Sequence, residues 1–536
     1  MKKSLALLLS LLMLFSLVAC GGGNSGGDTS GSNSGASTSG GDTSGSGGET
    51  GGDSQGSALE LKGPGNVTLK RLGYNVAFDP NNDINAEVLK QSTGYDVEYY
   101  MLPAENADEK LLMDISGGAD YDCVNVSPNQ FQTLVAQGAL QPLDDALAQY
   151  GQEVLAGNSD DVWEALKGED GHIYGVPYMY PHSHEIAMFM AARLDLMEAA
   201  GITELPTTID EFYDCLVTLK NYYGDEYIIL AGPFKPASEG NENWVIPKTI
   251  ACAFGIYNDW MVDENGKVYY MTEAPGFADM IAFLTKLYDE GLIDPDWAIN
   301  TESTLKEKFT SGKAIITCGN RALADFCSAA LIENLNLSWD DLGYISALKG
   351  PDGTCTYMST EAINHISCVP KSSKNVADVV NWWNLRVKDQ LFIAIGEEGV
   401  HFNYDADGNI EPINPIFADE RGNSYYYMDV TDQKEYEFEW PSRVRKSEGQ
   451  WHSFSAVTMN ADQSIFVDND FALMPARENY AKYNTTIFND LQDYITQVMS
   501  GTRTINDLEA FMSDWTNAGG EKVREDLQSW YDDFYK

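Results

Sequence analysis

VTLKRLGYNVAFDPNNDINAEVLKQSTGYDVEYYMLPAENADEKLLMDISGGADYDCVNVSPNQFQTLVAQG, residues 67–138, is the stretch that decides the fold. Val67–Val76 reads as a β-strand. Asn85–Ser92 carries helical apolar spacing and is closed by Thr93-Gly94, glycine being favoured just past a helix end. Tyr95–Met101 alternates and is rich in β-formers, which predicts a second strand. Asp108–Ile115 then reads as a helix, Tyr121–Val126 as a strand, and Pro128–Gln137 as a helix closed by Gly138. Strands alternating with amphipathic helices predict an α/β lobe built on a mostly parallel sheet.

Working outward, Thr208–Leu219, Gly276–Glu290, Thr304–Thr310, Ser373–Ile395, Tyr480–Met499 and Ile505–Tyr535 carry helical apolar spacing, and no internal repeat is found. About 480 residues follow Ser57, too many for one hydrophobic core, so two or more lobes are expected.

Upstream, Lys2-Lys3 precedes an apolar run, Leu5 to Val18, ending in Leu17-Val18-Ala19-Cys20. This is the order of a secretory signal, residues 1–19, and its last four residues look like a bacterial lipobox with Cys20 as the lipidated residue. Several acyl chains anchor stably where one does not. Residues 21–57 are nearly all Gly, Ser, Thr, Asn and Asp. Such a stretch cannot bury enough apolar surface to fold, and it predicts a flexible tether reaching on the order of 30–35 Å. The expected location is the outer face of a cell membrane, held by lipid.

No second apolar run approaches the length of a bilayer span, which argues against a channel or permease. The formal charge of −47 argues against nucleic acid as a partner, because phosphate binding needs clustered Lys and Arg. A neutral or cationic ligand suits that charge, although most of it reads as solubility outside the cell. Cys123, Cys215, Cys252, Cys318, Cys327, Cys355 and Cys368 show no CxxC spacing; their odd number and apolar surroundings predict neither a disulfide framework nor a zinc site. There is no GxSxG elbow, no HExxH and no phosphate loop, so an enzyme is not expected, nor a cofactor.

Three local motifs carry clustered metal-ligand or turn residues. His182-Ser183-His184-Glu185 brings two imidazoles and a carboxylate together without an evident fourth ligand, and is expected to be polar hinge sequence. Asp405-Ala406-Asp407-Gly408-Asn409 reads both as the start of a calcium loop lacking its twelfth-position Glu and as a hairpin turn. Asp263-Glu264-Asn265-Gly266 reads as a hairpin turn before the strand Lys267–Met271.

Several segments together carry a family resemblance: Ser92–Val97, Tyr121–Val124 with Phe131–Leu143, Gly171–Pro177, Leu205–Phe212, Leu305–Ile316, Gly396–His401 and Ile505–Trp515. In number, order and spacing they make the chain, from about Val67 to its end, resemble the extracellular solute-binding proteins of carbohydrate ABC transporters, in particular the long, alginate-type members. The resemblance implies a periplasmic-binding-protein-like fold of type II: two α/β lobes, a hinge and a ligand cleft between them. It places the first lobe at 58–176 plus 350–400 and the second at 177–349 plus 401–536. Open α/β sheets also bind ligands outside the carboxyl ends of their strands, which points the same way.

Saccharide recognition needs aromatic faces and planar polar side chains. Tyr74, Asn75 and Asp79 follow the first strand; Asn125, Ser127, Asn129 and Gln130 follow the third, a segment that lines the cleft in maltodextrin-binding relatives. Tyr178 and Tyr180 lie past the first crossing, and Trp244 and Trp260 flank an expected helix. Asn320 and Arg321 follow the strand Ala314–Cys318, where relatives often place an aromatic contact that this chain lacks. The long relatives' calcium loop has no counterpart at Asn221–Glu226, whose oxygen ligands do not alternate, so no metal is carried over. The segment Ser424–Met459, rich in Tyr, Trp and charge, reads as an extra cleft wall or a surface insertion. The expected function is a monomeric, lipid-anchored binder that captures a saccharide by cleft closure and delivers it to separate ABC permease subunits. The alternatives are a binder of peptide or another polar solute, and a surface glycoside-active enzyme.

Overall fold

Leu69 and Leu72 are buried on either side of Arg71 in the strand that opens the fold, so this strand is covered on both faces, as a central parallel strand must be. The computed structural model describes residues 59–104, 106–179, 186, 188–232, 246–358, 363–459, 461–475 and 477–535, with the backbone alone at 302, 319–327 and 358. The expected signal segment, Cys20 and the tether lie outside the described residues.

The main strands are β1 (Thr68–Gly73), β2 (Asp96–Met101), β3 (Cys123–Val126), β4 (Gly175–Met179), β5 (Met188–Arg193), β6 (Ile228–Ala231), β7 (Ala314–Asn320), β8 (Leu342–Ile345) and β9 (Ile363–Cys368). They form a five-stranded sheet in the order β2-β1-β3-β9-β4 and a four-stranded sheet in the order β8-β5-β7-β6. In the first sheet β2 and β3 flank β1 in parallel, and β9 runs antiparallel to β3 and β4. The expected parallel sheet is therefore present at one end of a mixed one. Each sheet has its own core, the first around Leu69, Val124, Phe131, Trp382 and Trp383, the second around Phe212, Leu284, Ile316, Leu491 and Trp515.

The helices used below are α1 (Ile84–Thr93), α2 (Ala107–Ser116), α3 (Pro128–Ala136), α4 (Ile209–Tyr223), α5 (Phe277–Asp289), α6 (Arg321–Leu335), α7 (Val376–Lys388), α8 (Gln433–Val444), α9 (Glu448–Val457), α10 (Glu478–Met499), α11 (Leu508–Ala518) and α12 (Gly520–Tyr535). Their ends follow local chemistry. Asp83 caps α1, which stops at Gly94 with φ 73°, a conformation that glycine adopts without strain. Thr208 and Glu211 form a capping box on α4, as Ser127 and Gln130 do on α3. The expected helix Ile505–Tyr535 is broken in two at Gly519, φ 113°, where the chain turns from α11 to α12. The run Ser373–Ile395 likewise splits into α7 and the short helix Gln390–Ala394.

The lobe boundaries need correction. The chain stays in the first sheet to Met179 and returns to it at Ile363, while Tyr357 packs with the second sheet's side. Residues 401–444, expected in the second lobe, belong to the first. Tyr426, Tyr427 and Val430 lie in its core, and Phe402, Ile410, Phe417 and Tyr436 pack with Tyr178 of β4. The physical reason is a buried ion cluster. Arg71 Nε and Nη2 donate to Asp429 Oδ1 at 2.9 and 2.8 Å, and Arg386 lies 3.2 Å from Asp429 Oδ2. Burial works against the Arg71 charge, but Asp429 and Tyr426 more than restore it. Ser424–Met459 is thus neither a cleft wall nor a surface insertion along its length: it enters the first core, and α9 then packs on α6 of the second lobe, with His452 Nδ1 3.0 Å from Tyr344 Oη on β8.

Candidate functional site

Parallel strands end with their carbonyl groups and following loops on one edge, and here that edge holds a cavity of about 430 Å³. Tyr74 and Asn75 come from the loop after β1, Leu102 from the end of β2, and Asn125, Val126 and Ser127 from the end of β3. Asp108, Leu111 and Leu112 on α2 and Asn129, Gln130 and Thr133 on α3 form the sides. His365 enters from β9, and Thr485 reaches in from α10 of the second lobe.

Local bonds fix most of these groups. Asn75 donates to the Leu102 carbonyl at 3.2 Å. Ser127 and Gln130 hold each other through the capping box, and Gln130 Nε2 donates to Asp108 Oδ1 at 2.6 Å. Asn125 is 2 % exposed; its Nδ2 donates to Ser367 Oγ at 2.9 Å, while its Oδ1 is buried without a partner. Asn125 and Ser367 are in register, as are Tyr178 and His365, so these side chains share one face of the sheet. Tyr74 stacks on His365 with centroids 4.7 Å apart and meets Tyr426 edge-on at 5.2 Å. Tyr426 in turn lies under the Arg71 guanidinium at 4.5 Å. Burial, with Arg71 nearby, pulls the His365 imidazole down to about 4, so the ring is neutral at ordinary pH; burial pushes the Tyr74 hydroxyl up.

Of the candidates named from sequence, the structure gathers Tyr74, Asn75, Asn125, Ser127, Asn129 and Gln130 around this cavity. It places three elsewhere. Asp79 is an exposed turn residue that accepts from the Asn81 amide at 3.0 Å. Tyr178 is buried at 6 % exposure with its hydroxyl 2.7 Å from that of Tyr436. Trp260 is 4 % exposed in the second core, where its Nε1 donates to Asn484 Oδ1 at 3.0 Å. The causes differ: Asp79 is spent on its own exposed turn, whereas Tyr178 and Trp260 found partners inside the protein. Tyr180, Trp244 and the motif His182–Glu185 lie outside the described residues; Asn320 ends β7 and Arg321 opens α6, their side chains being undescribed.

Sequence reasoning missed Leu102, Asp108, Thr133, His365 and Thr485. The carboxyl-edge rule applied to β2 finds the first two. His365 and Thr485 come from distant parts of the chain and carry no local signal. Asp405 closes a hairpin turn between strands 402–404 and 410–412, its Oδ1 accepting from the Asp407 and Asn409 amides at 2.9 and 2.8 Å. Asp263 does the same in the turn before Val268–Tyr270. Among the described residues no group of three or more His, Cys, Asp or Glu could hold a metal ion, and no helix is long and apolar enough to cross a membrane. None of the six cysteines with described side chains is in a disulfide, and five of them are buried.

Comparison with known proteins gives a consistent result. The profile of the bacterial extracellular solute-binding proteins matches residues 81–321. An uncharacterised Niallia circulans protein encoded in the butB 5′ region is 30% identical over 256 residues, 47% of this chain and 98% of its own. Lipoprotein LipO of Bacillus subtilis is 22% identical over 476 residues, 83% of this chain and 88% of its own. The solved structure of the Streptococcus pneumoniae ABC-transporter substrate-binding protein FusA in complex with kestose shares the fold, with a TM-score of 0.62 at 18% identity, covering 87% of this chain and 99% of that one.

Proposed function

From the chain's membership of the bacterial extracellular solute-binding protein family, we propose that it captures a saccharide in the cavity at the carboxyl edge of β1–β3 and passes it to separate ABC permease subunits. The observation that carries the reading is the lining itself. Planar polar side chains (Asn75, Asn125, Asn129 and Gln130) stand beside the ring of Tyr74, and Thr485 reaches in from the other lobe. Amides bond hydroxyls in fixed directions and a ring face packs on C–H surface, the combination a saccharide needs. FusA, a structural relative, holds kestose. Tyr180 and Trp244 are proposed as further ligand contacts.

Catalysis forms no part of this reading. Cys20, at the end of a lipobox-like signal, is the proposed lipid anchor, and residues 21–57 the tether. A tether of that reach keeps the binder close to its permease and raises the local supply of ligand. A monomer suffices for this mechanism.

The test is thermal unfolding of the protein against neutral and acidic oligosaccharides, with peptides and divalent cations alongside. A ligand at 100 times its Kd adds about 2.7 kcal/mol of stability. A shift with one saccharide class supports the proposal. A shift with peptides alone overturns it.

A further inference from the structure

One group at the cavity has chemistry that its surroundings leave unused. The lining amides of Asn75, Asn125 and Gln130 each have a protein partner for at least one polar atom, and Asp108 is engaged by Gln130. His365 differs. Its Nδ1 is buried with no partner, and the ring lines the cavity. The ring is nonetheless held. Tyr74 stacks on one side at 4.7 Å, Tyr178 lies beyond at 6.5 Å on β4, and the pairing of β9 with β3 and β4 fixes the backbone. The ring is half-buried and lines the cavity, and a buried Nδ1 left without a partner costs about 1–3 kcal/mol.

We propose that His365 is a ligand-contact residue whose neutral imidazole hydrogen-bonds a sugar hydroxyl, with Tyr74 backing the ring. This rests on the saccharide reading above and adds the residue that selects for an uncharged hydroxyl. In either tautomer a neutral imidazole offers one donor and one acceptor, and a hydroxyl can meet either; an ammonium or a carboxylate can meet only one. The surrounding charges agree. Among the described lining residues the only charged side chain is Asp108, which disfavours a uronate carboxylate beside it. The titratable and charged groups around the ring are Tyr74, Tyr178 and Tyr426, together with Arg71 and Asp429 behind them.

The experiment titrates the full chain with kestose, maltotriose, cellotriose, xylotriose, trigalacturonate and trialanine by calorimetry, for the wild type, His365→Phe and His365→Gln. His365→Phe keeps a ring for Tyr74 and removes both nitrogens, whereas His365→Gln restores a donor and an acceptor. The expected result is that at least one neutral trisaccharide binds the wild type, loses about tenfold or more in affinity with His365→Phe, and recovers part of it with His365→Gln. Unchanged affinity in His365→Phe, or preference for trigalacturonate, overturns the role of His365 and leaves the saccharide reading standing. Binding of trialanine alone, or of no saccharide, overturns the saccharide reading and this role with it. If His365→Phe does not fold, ring-labelled histidine NMR of the wild type decides among the six histidines. The His365 ring signals must shift on adding the neutral trisaccharide that binds, and signals that stay in place overturn the role.

Discussion

Two clusters of rings stand in opposite lobes and have opposite characters. Trp260, Tyr270 and Trp515 lie within 4.8 to 5.7 Å of one another, and all three are at most 4 % exposed. Arg524 covers Trp515 at 5.4 Å, and the Trp260 nitrogen is bonded to Asn484. Tyr74, His365 and Tyr426 are as closely packed, yet Tyr74 and His365 line a cavity, and the imidazole Nδ1 has no partner. Aromatic density does not separate a binding surface from a core. Nor does an unbonded ring nitrogen alone, since Trp515 Nε1 is also buried without a partner; what separates them is that His365 and Tyr74 line a cavity at the carboxyl edge of parallel strands. The contrast is sharp enough to divide neighbours on one helix: Asn484 of α10 serves the sealed cluster, and Thr485 borders the cavity.

The largest test of that contrast is Trp260→Ala. It opens a void in the second core and takes the partner from Asn484, so it should destabilise the protein by about 3–5 kcal/mol in urea unfolding. Saccharide affinity of the folded variant should stay within about twofold, because a core change acts through stability and not through contact. Lost affinity in a variant that is still folded breaks the comparison.

A second test uses pH. His365 is held near 4 in the fold and sits near 6.5 when unfolded, so between those values the unfolded chain binds more protons and stability falls as pH drops from 6.5 toward 4. The slope from this one group is at most about 1.4 kcal/mol per pH unit. Glu439, buried and raised to about 8, acts in the other direction: its proton is retained in the fold, and its contribution is lost as pH rises from 4.5 toward 8. Unfolding profiles of wild type and His365→Phe therefore isolate the first effect, which should vanish in the variant. Identical profiles would mean that the ring is not held neutral by its surroundings.

The smallest effect belongs to Ser127→Ala. Loss of the cap on α3 should reduce stability by about 1 kcal/mol in the same urea assay. It should also loosen Gln130, whose amide spans Ser127 and Asp108 at the cavity side.

Local signals carried the first half of the fold well. The strands and helices from Thr68 to Ala136 follow from apolar spacing and from the glycines at 94 and 138, and the site residues directly after β1 and β3 follow from the carboxyl-edge rule. What failed was long-range. Nothing near Asp429 shows that it joins Arg71, 358 residues away, and hence that residues 401–444 return to the first lobe. Nothing near His365 shows that an antiparallel strand will slide between β3 and β4 and turn that imidazole toward the cavity. Trp260 misled for the opposite reason: a tryptophan beside a turn looks available until its nitrogen proves to be bonded.

The 22 residues of α10 give one mechanical consequence. The helix touches the cavity near its beginning, at Thr485, while Ile487, Leu491, Ile495 and Val498 bind it into the second core. From Thr485 to Met499 it runs about 21 Å at 1.5 Å per residue. It is a stiff lever arm with its short end at the cavity. Because the same rod packs against α11 and α12, the cavity wall at Thr485 and the outer helices of the second lobe belong to one rigid unit.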